Sequence, residues 1–189
     1  MSITKEKFRK KCITQAKKKI SNSYCLHNLV NQKLQKELEK FPKGQKILFY
    51  IPLPFEANIL KTLQKMRKKH LIFIPFMEGK SFKMVSYRLP LKRKRFGIFE
   101  AGNSLKNIKN IDIAIVPIVG IDKDFKRVGF GKGMYDRFFA TLKKKPYTIF
   151  VQLKRCKSDK NVCDVYDVQG DMLITSEGSW KRGDRCYMR

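Results

Sequence analysis

Apolar residues recur along this chain with two different periods, and the change of period divides it. Over residues 2–20, Phe8, Cys12, Ile13, Ala16 and Ile20 fall on one helical face while lysines and arginines fill the others, which predicts an amphipathic helix. Ser21-Asn22-Ser23 breaks it. Leu26, Val30, Leu34 and Leu38 then predict a second helix over residues 26–41, stopped by Pro42 and Gly44. Downstream the pattern shifts to short apolar runs at 47–51, 71–75, 82–88, 111–116, 147–151 and 172–175, which read as strands. Helices are expected between them over 58–69 and 135–142. Strands separated by helices imply one α/β domain spanning residues 1–189, a largely parallel sheet flanked by helices on both faces. Ligands of such sheets bind outside the carboxyl ends of the strands. Residues 90–109 are basic and irregular, as expected of a surface excursion. The tail, 178–189, carries the only tryptophan, Trp180, among Lys181, Arg182, Asp184 and Arg185, and either packs or frays.

Composition narrows the class. A chain of 189 residues with 42% hydrophobic content can bury a proper core. No run approaches the roughly 20 apolar residues that span a bilayer, and residues 1–11 are too charged for a secretion signal, so a cytoplasmic protein with no membrane partner is expected. The cysteines, Cys12, Cys25, Cys156, Cys163 and Cys186, are odd in number and lack a Cys-x-x-Cys pair. That argues against a disulfide framework and a zinc ribbon, and predicts reduced thiols. The net charge of +27 invites a nucleic-acid reading. However, clusters such as Arg9-Lys10-Lys11, Arg67-Lys68-Lys69, Lys92-Arg93-Lys94-Arg95 and Lys143-Lys144-Lys145 are dispersed over several elements. A solvated basic surface that attracts small polyanions is therefore expected, and nucleic acid is not the expected partner. His27 and His70 show no ligand spacing.

The densest chemistry lies in Arg127-Val128-Gly129-Phe130-Gly131-Lys132-Gly133-Met134-Tyr135-Asp136-Arg137. Alternating glycines let a backbone bend tightly and turn its N–H groups towards an anion, and Arg127 and Lys132 add fixed positive charge. With the apolar run at 111–117 upstream and a helix downstream, the segment is expected between a strand and a helix N-terminus, where phosphate is favoured. It is not a Walker loop, because Lys132 is followed by Gly133 rather than a hydroxyl residue. Nor does the glycine spacing, two and two, fit Gly-x-Gly-x-x-Gly.

This loop resembles that of the 5-formyltetrahydrofolate cyclo-ligase, or methenyltetrahydrofolate synthetase, family. The family signature is Arg, a hydrophobic residue, then Gly-x-Gly-x-Gly-Tyr-Tyr-Asp; residues 127–136 match it, with Met134 in place of the first Tyr. Lys5-x-x-x-Arg9, Glu56 and Asp167-x-x-x-Asp171 follow the same pattern in the same order. The resemblance implies ATP binding by Lys5, Arg9 and residues 127–135, and folate binding by Ile51, Glu56, Phe130, Gly131, Lys132, Gly133 and Met134. It implies Mg²⁺ on Asp136 and Asp167, and catalytic roles for Arg127 and Lys132. Spacing alone leaves other readings open. Lys5 and Arg9 share a helical face and equally suit solvated charges. Glu56, ahead of a helix, could serve its dipole. Asp167 could cap a turn, and Tyr135 suits a core position as well as a base or pterin contact.

The implied reaction is ATP-driven cyclisation of 5-formyltetrahydrofolate, mono- or polyglutamylated, to 5,10-methenyltetrahydrofolate with release of ADP and phosphate. It needs alignment and charge neutralisation rather than a nucleophilic side chain. Two alternatives stand beside it: a basic nucleic-acid-binding protein, and a non-catalytic relative on the same scaffold.

Overall fold

In the computed structural model, which describes residues 4–18, 23–93, 99–100, 102, 108 and 110–184, the N-terminal helices are α1 (Lys5–Lys18) and α2 (Ser23–Leu38). The remainder runs β1 (Lys46–Leu48), α3 (Leu60–Met66), β2 (Leu71–Glu78), β3 (Ser81–Ser86), β4 (Lys92–Arg93), β5 (Phe99–Glu100), β6 (Ile113–Pro117), β7 (Gly120–Ile121), β8 (Arg127–Val128), α4 (Met134–Ala140), β9 (Tyr147–Val151), β10 (Met172–Ile174) and β11 (Ser179–Lys181). Ile20, Ser21, Asn22, much of the 90–109 excursion and the last five residues of the tail lie outside the described residues.

The main sheet has the order β11-β10-β9-β6-β1-β2-β3. Its five inner strands are parallel, and β11 and β3 pair antiparallel at the two edges. All five residues of β6 are buried, as a central parallel strand covered on both faces requires. The pleat sends Ile47, Ile113, Ile115 and Ile149 to one side, against Val30, Leu34 and Leu38 of α2 and Leu63 and Met66 of α3. Leu48, Ala114, Val116 and Phe150 point to the other, against Phe138 of α4 and Phe125. Helices thus cover both faces, as the alternation of strands and helices predicts.

β2 runs through Pro75 to Glu78 and makes a hairpin with β3, further than the apolar run suggests. Proline is tolerated there because odd-numbered β2 residues face β1, as in the bond from Phe49 N–H to the Phe73 carbonyl, and β1 has ended before Pro75. The glycine loop does not directly follow the 111–117 strand, as expected from sequence. The β7–β8 hairpin intervenes, with strands of two residues each, too short to register a hydrophobic period. Part of the tail packs: Leu173 pairs with Trp180 of β11, and the Arg155 guanidinium lies 4.7 Å from the Trp180 ring centroid. No helix among the described residues is long and apolar enough to cross a membrane.

α1 docks on the β7–β8 hairpin through Phe8 and Cys12, each about 1% exposed. Gly120 makes this approach possible, because a Cβ there would lie 2.8 Å from the Phe8 ring and 2.9 Å from Cys12 Sγ. The seat is fastened covalently by a disulfide between Cys12 and Cys156, with a Cα–Cα distance of 5.8 Å. This corrects the expectation of reduced thiols for that pair. Odd parity and missing Cys-x-x-Cys spacing describe disulfide scaffolds and zinc sites, whereas a single bridge spanning 144 residues leaves no local trace. Cys25 and Cys163 are free thiols.

The bridge generates a stability prediction. Cys156→Ser should lower the unfolding free energy by about 2–4 kcal/mol, measured by denaturant titration of protein kept oxidised. Alkylation without reduction, followed by peptide mass analysis, should label exposed Cys25 and leave Cys12 and Cys156 unlabelled.

Candidate active site

The glycine loop spans the gap between β8 and α4 and is clamped at both ends by one ion pair. Arg127 Nε donates to Asp136 Oδ1 at 3.1 Å, and Arg127 Nη2 donates to Asp136 Oδ2 at 3.0 Å. Arg127 is buried, and its guanidinium also lies 5.1 Å from the Tyr135 ring centroid. Val168 N–H adds a third bond to Asp136 Oδ1, at 3.3 Å. Burial pushes the Asp136 carboxyl up, but the bonds and charge of Arg127 outweigh it and hold it below the usual carboxylate range. Between the clamped ends, Gly131 and Gly133 take φ of +92° and +58°. Gly133 is the left-handed residue that starts α4, a conformation costly for any residue with a Cβ.

α1 brings two cations to the loop. Arg9 Nε donates to the Gly129 carbonyl at 2.9 Å, and its guanidinium lies against Gly131. One turn earlier, Lys5 Nζ donates to Asp164 Oδ2 at 2.9 Å and to Asp167 Oδ2. Burial lowers the pKa of this ammonium, but the bonds and charges of Asp167 and Asp164 outweigh that and hold it above its ordinary value. Asp167 also accepts from Asp164 N–H at 2.7 Å. Lys5, Arg9, Arg127, Gly129, Gly131, Gly133, Asp136 and Asp167 line one wide cavity of about 1090 Å³, joined by Lys126, Lys145, Tyr166 and Arg182. Asp136 and Asp167 are two carboxylates of this cavity, and oxygen donors of this kind could hold Mg²⁺ together with substrate phosphates and water. Among the described residues no group of three or more His, Cys, Asp or Glu could hold a metal alone.

A second cavity, about 400 Å³ and mostly apolar, lies on the other side of the loop. Ile51, Glu56, Phe82, Phe130, Lys132, Gly133, Met134 and Tyr135 are among its lining residues. Glu56 is its anomaly. Its Oε2 accepts the Leu53 N–H at 2.9 Å, yet desolvation raises the carboxyl from an ordinary 4.5 to about 7. The hydroxyls of Tyr50 and Tyr135 are also pushed up, by burial first and then by the Glu56 charge. Arg127 and Gly133 line both cavities, so the loop is their common wall.

The two groups of residues expected at the site are thus brought together from opposite ends of the chain. Val128 is the exception: it is fully buried in the α1 cluster and its carbonyl accepts Val119 N–H at 2.9 Å. Phe130, Lys132 and Met134, expected on both substrates, and Tyr135, expected on ATP, line the apolar cavity rather than the wide one, whereas Gly131, expected on both substrates, lines only the wide one. Tyr50, Phe55, Met77 and Phe82 of the apolar cavity, and Lys145 and Arg182 of the wide one, were not expected there. Tyr50 adjoins Ile51 at a strand end, a usable clue. Lys145 belongs to a run that reads as solvated surface, and nothing local marks Phe82.

Comparison with known proteins gives the family and the fold. The model of the 5-formyltetrahydrofolate cyclo-ligase family matches residues 2–175. A 5-formyltetrahydrofolate cyclo-ligase of Mycoplasma pneumoniae is 28% identical over 152 residues, 80% of this chain and 85% of that protein. The NMR structure of Aquifex aeolicus 5,10-methenyltetrahydrofolate synthetase shares the fold with a TM-score of 0.79 at 24% identity, covering 96% of this chain and 94% of that one. A 5,10-methenyltetrahydrofolate synthetase structure from Mycoplasma pneumoniae superposes with a TM-score of 0.69 at 23% identity, covering 91% and 98%. The chain belongs to the 5-formyltetrahydrofolate cyclo-ligase family, a family of enzymes.

Glu56 yields a pH prediction. Its folded pKa of about 7 lies above the ordinary 4.5, so between those values the native state binds more protons than the unfolded chain and stability falls as pH rises. Glu56→Gln removes that loss and keeps an acceptor for Leu53 N–H. The variant should exceed wild type at pH 8 by about 1–3 kcal/mol, with the gap closing below pH 5 in parallel denaturant titrations.

Proposed function

We propose that this member of the 5-formyltetrahydrofolate cyclo-ligase family uses ATP and Mg²⁺ to close 5-formyltetrahydrofolate into 5,10-methenyltetrahydrofolate, releasing ADP and phosphate. The observation that carries this reading is the loop at 129–133, which separates a cavity of cations and carboxylates from an apolar one by a single turn of backbone. A polyphosphate on one side and a pterin on the other would meet across it.

The chemistry asks for that arrangement. A formyl oxygen on N5 is a poor leaving group. It attacks the γ-phosphorus, the bond to ADP breaks, and the formyl carbon becomes an activated imidate. The N10 lone pair then attacks that carbon and closes the ring. The carbon–oxygen bond breaks, phosphate leaves, and N10 loses its proton. Lys5 and Arg9 bind the polyphosphate, Arg127 fixes the loop and neutralises charge, and Lys132 stabilises the oxygen being phosphorylated. Mg²⁺, held by Asp136 and Asp167, would neutralise phosphate charge; Arg127 and Lys5 must then yield some of the carboxylate oxygens they occupy. Glu56 receives the pterin N–H groups, and Ile51, Phe130 and Met134 flank the ring. Met134 supplies an adaptable, polarizable contact where the family signature has Tyr. We place the reaction in the cytoplasm, where a reducing thiol pool would act on the Cys12–Cys156 bond.

Recombinant protein given Mg²⁺-ATP and 5-formyltetrahydrofolate should accumulate the methenyl product, followed by absorbance. Lys132→Ala should lower kcat about 10²- to 10³-fold with an unchanged circular dichroism spectrum. No product from wild type, with salt-sensitive binding in a parallel nucleic-acid titration, would instead support the nucleic-acid alternative.

A further inference from the structure

Asp122, directly after β7, is fully buried and lines neither the wide cavity nor the apolar one. Its two oxygens divide four backbone N–H groups between them. Oδ1 accepts Asp124 N–H at 3.0 Å and Lys126 N–H at 2.9 Å, closing the turn between β7 and β8. In that turn Phe125 holds φ of +60°, a conformation few residues with a Cβ adopt. Oδ2 accepts Val162 N–H at 3.3 Å and Cys163 N–H at 3.1 Å, from a segment 40 and 41 residues further along. Lys126 immediately precedes Arg127, and Cys163 immediately precedes Asp164. One carboxylate therefore anchors both the strand that carries the Arg127 fork on Asp136 and the segment that carries Asp164 and Asp167.

We infer that Asp122 is a positioning residue for the nucleotide and its metal, because it sets where Asp167 stands relative to Asp136. The inference rests on the reading of those two carboxylates as the Mg²⁺ site. Closing a turn needs only one acceptor oxygen, which a neutral Asn or Ser supplies as well. Burying a full carboxylate costs desolvation that the turn alone does not demand, and the four N–H donors offset it. The second oxygen spends its bonds elsewhere, at the approach to Asp164 and Asp167. From the other side, Arg127 N–H donates to the Val168 carbonyl at 3.0 Å, and Val168 N–H donates to Asp136. Asp167 is thus held between two ties that both lead to β8, and Asp122 makes the one on its N-terminal side. Mg²⁺ demands near-ideal octahedral geometry, so a displaced carboxylate is felt directly in affinity. Lys5, bonded to Asp164 and Asp167, would be displaced with them.

The test titrates wild type, Asp122→Asn and Asp124→Asn with ADP, with and without Mg²⁺, and separately with 5-formyltetrahydrofolate, by calorimetry that needs no turnover. Asp122→Asn keeps one oxygen for the turn and sets an NH₂ group against the remaining N–H donors. Its Mg²⁺-dependent affinity for ADP should fall about 10- to 100-fold, with folate affinity unchanged. In turnover the loss should appear in KM for Mg²⁺-ATP and not in KM for the folate. Asp124→Asn removes an exposed carboxylate of the same turn but keeps its backbone N–H, and should match wild type. An equal loss in that variant would show that charge matters and not position, and overturns the inference. Unchanged Mg²⁺-ADP affinity in Asp122→Asn overturns it too, as does an equal loss of folate affinity, which marks a purely structural role. No Mg²⁺-dependent ADP binding by wild type also overturns it. Asp122-dependent binding of Mg²⁺-ADP without formation of the methenyl product would uphold the inference and sink the ligase reading alone. Should Asp122→Asn fail to fold, amide hydrogen exchange in wild type decides. The Val162 and Cys163 N–H groups should exchange slowly without ligand, as preformed bonds require; fast exchange that slows only on adding Mg²⁺-ADP overturns the inference.

Discussion

The fork by which Arg127 donates to both oxygens of Asp136 holds the two ends of the glycine loop at a fixed separation, and the site is arranged around it. The pair is largely buried, so either partner alone would leave an uncompensated charge inside the protein. Between the held ends Gly131 and Gly133 take positive φ, and residues of the loop line the cavities on either side of it. Arg9 then reaches the Gly129 carbonyl, which ties α1 to the same loop. The wide cavity and the apolar cavity exist as neighbours only while that loop stands.

Charge is the second constraint. With 43 basic and 16 acidic residues, carboxylates are scarce, and where they gather they organise the cations around them. Asp136 orders Arg127, and Asp164 and Asp167 order Lys5. Without these carboxylates the same cations would repel one another and spread into solvent. Here they converge on one cavity, so the basic surplus has a local shape that the net charge does not reveal.

Glu56 stands apart from this economy of ion pairs. Desolvation dominates its pKa, and the Leu53 N–H offsets that burial only in part. Its raised pKa is a standing cost to the fold that packing alone would remove by replacing it with an apolar side chain. A carboxyl kept in such surroundings next to Tyr50 and Tyr135 suits a ligand that brings its own N–H donors. The disulfide adds a different kind of support, since it fixes the helix that carries Lys5 and Arg9 to the segment after β9.

Hydrophobic period and glycine stereochemistry are properties of near neighbours in the chain, and they were legible without a structure: the α/β alternation, the helical face through Phe8 and Cys12, the buried strands such as β6 and β9, and the tight glycine-rich turn ahead of α4. Lys5, Glu56 and Asp167 were legible only through their resemblance to a family, because isolated charges carry no periodic signal. Tertiary structure alone decided the rest. It inserted the two-residue strands of the β7–β8 hairpin before the loop, joined Cys12 to Cys156, turned Val128 away from the site and brought Phe82, Lys145 and Arg182 to cavity walls. Cavities are surfaces between elements remote in sequence, as Lys5 and Asp167 are across 162 positions. Local pattern can say which faces are apolar, but only packing decides which faces meet.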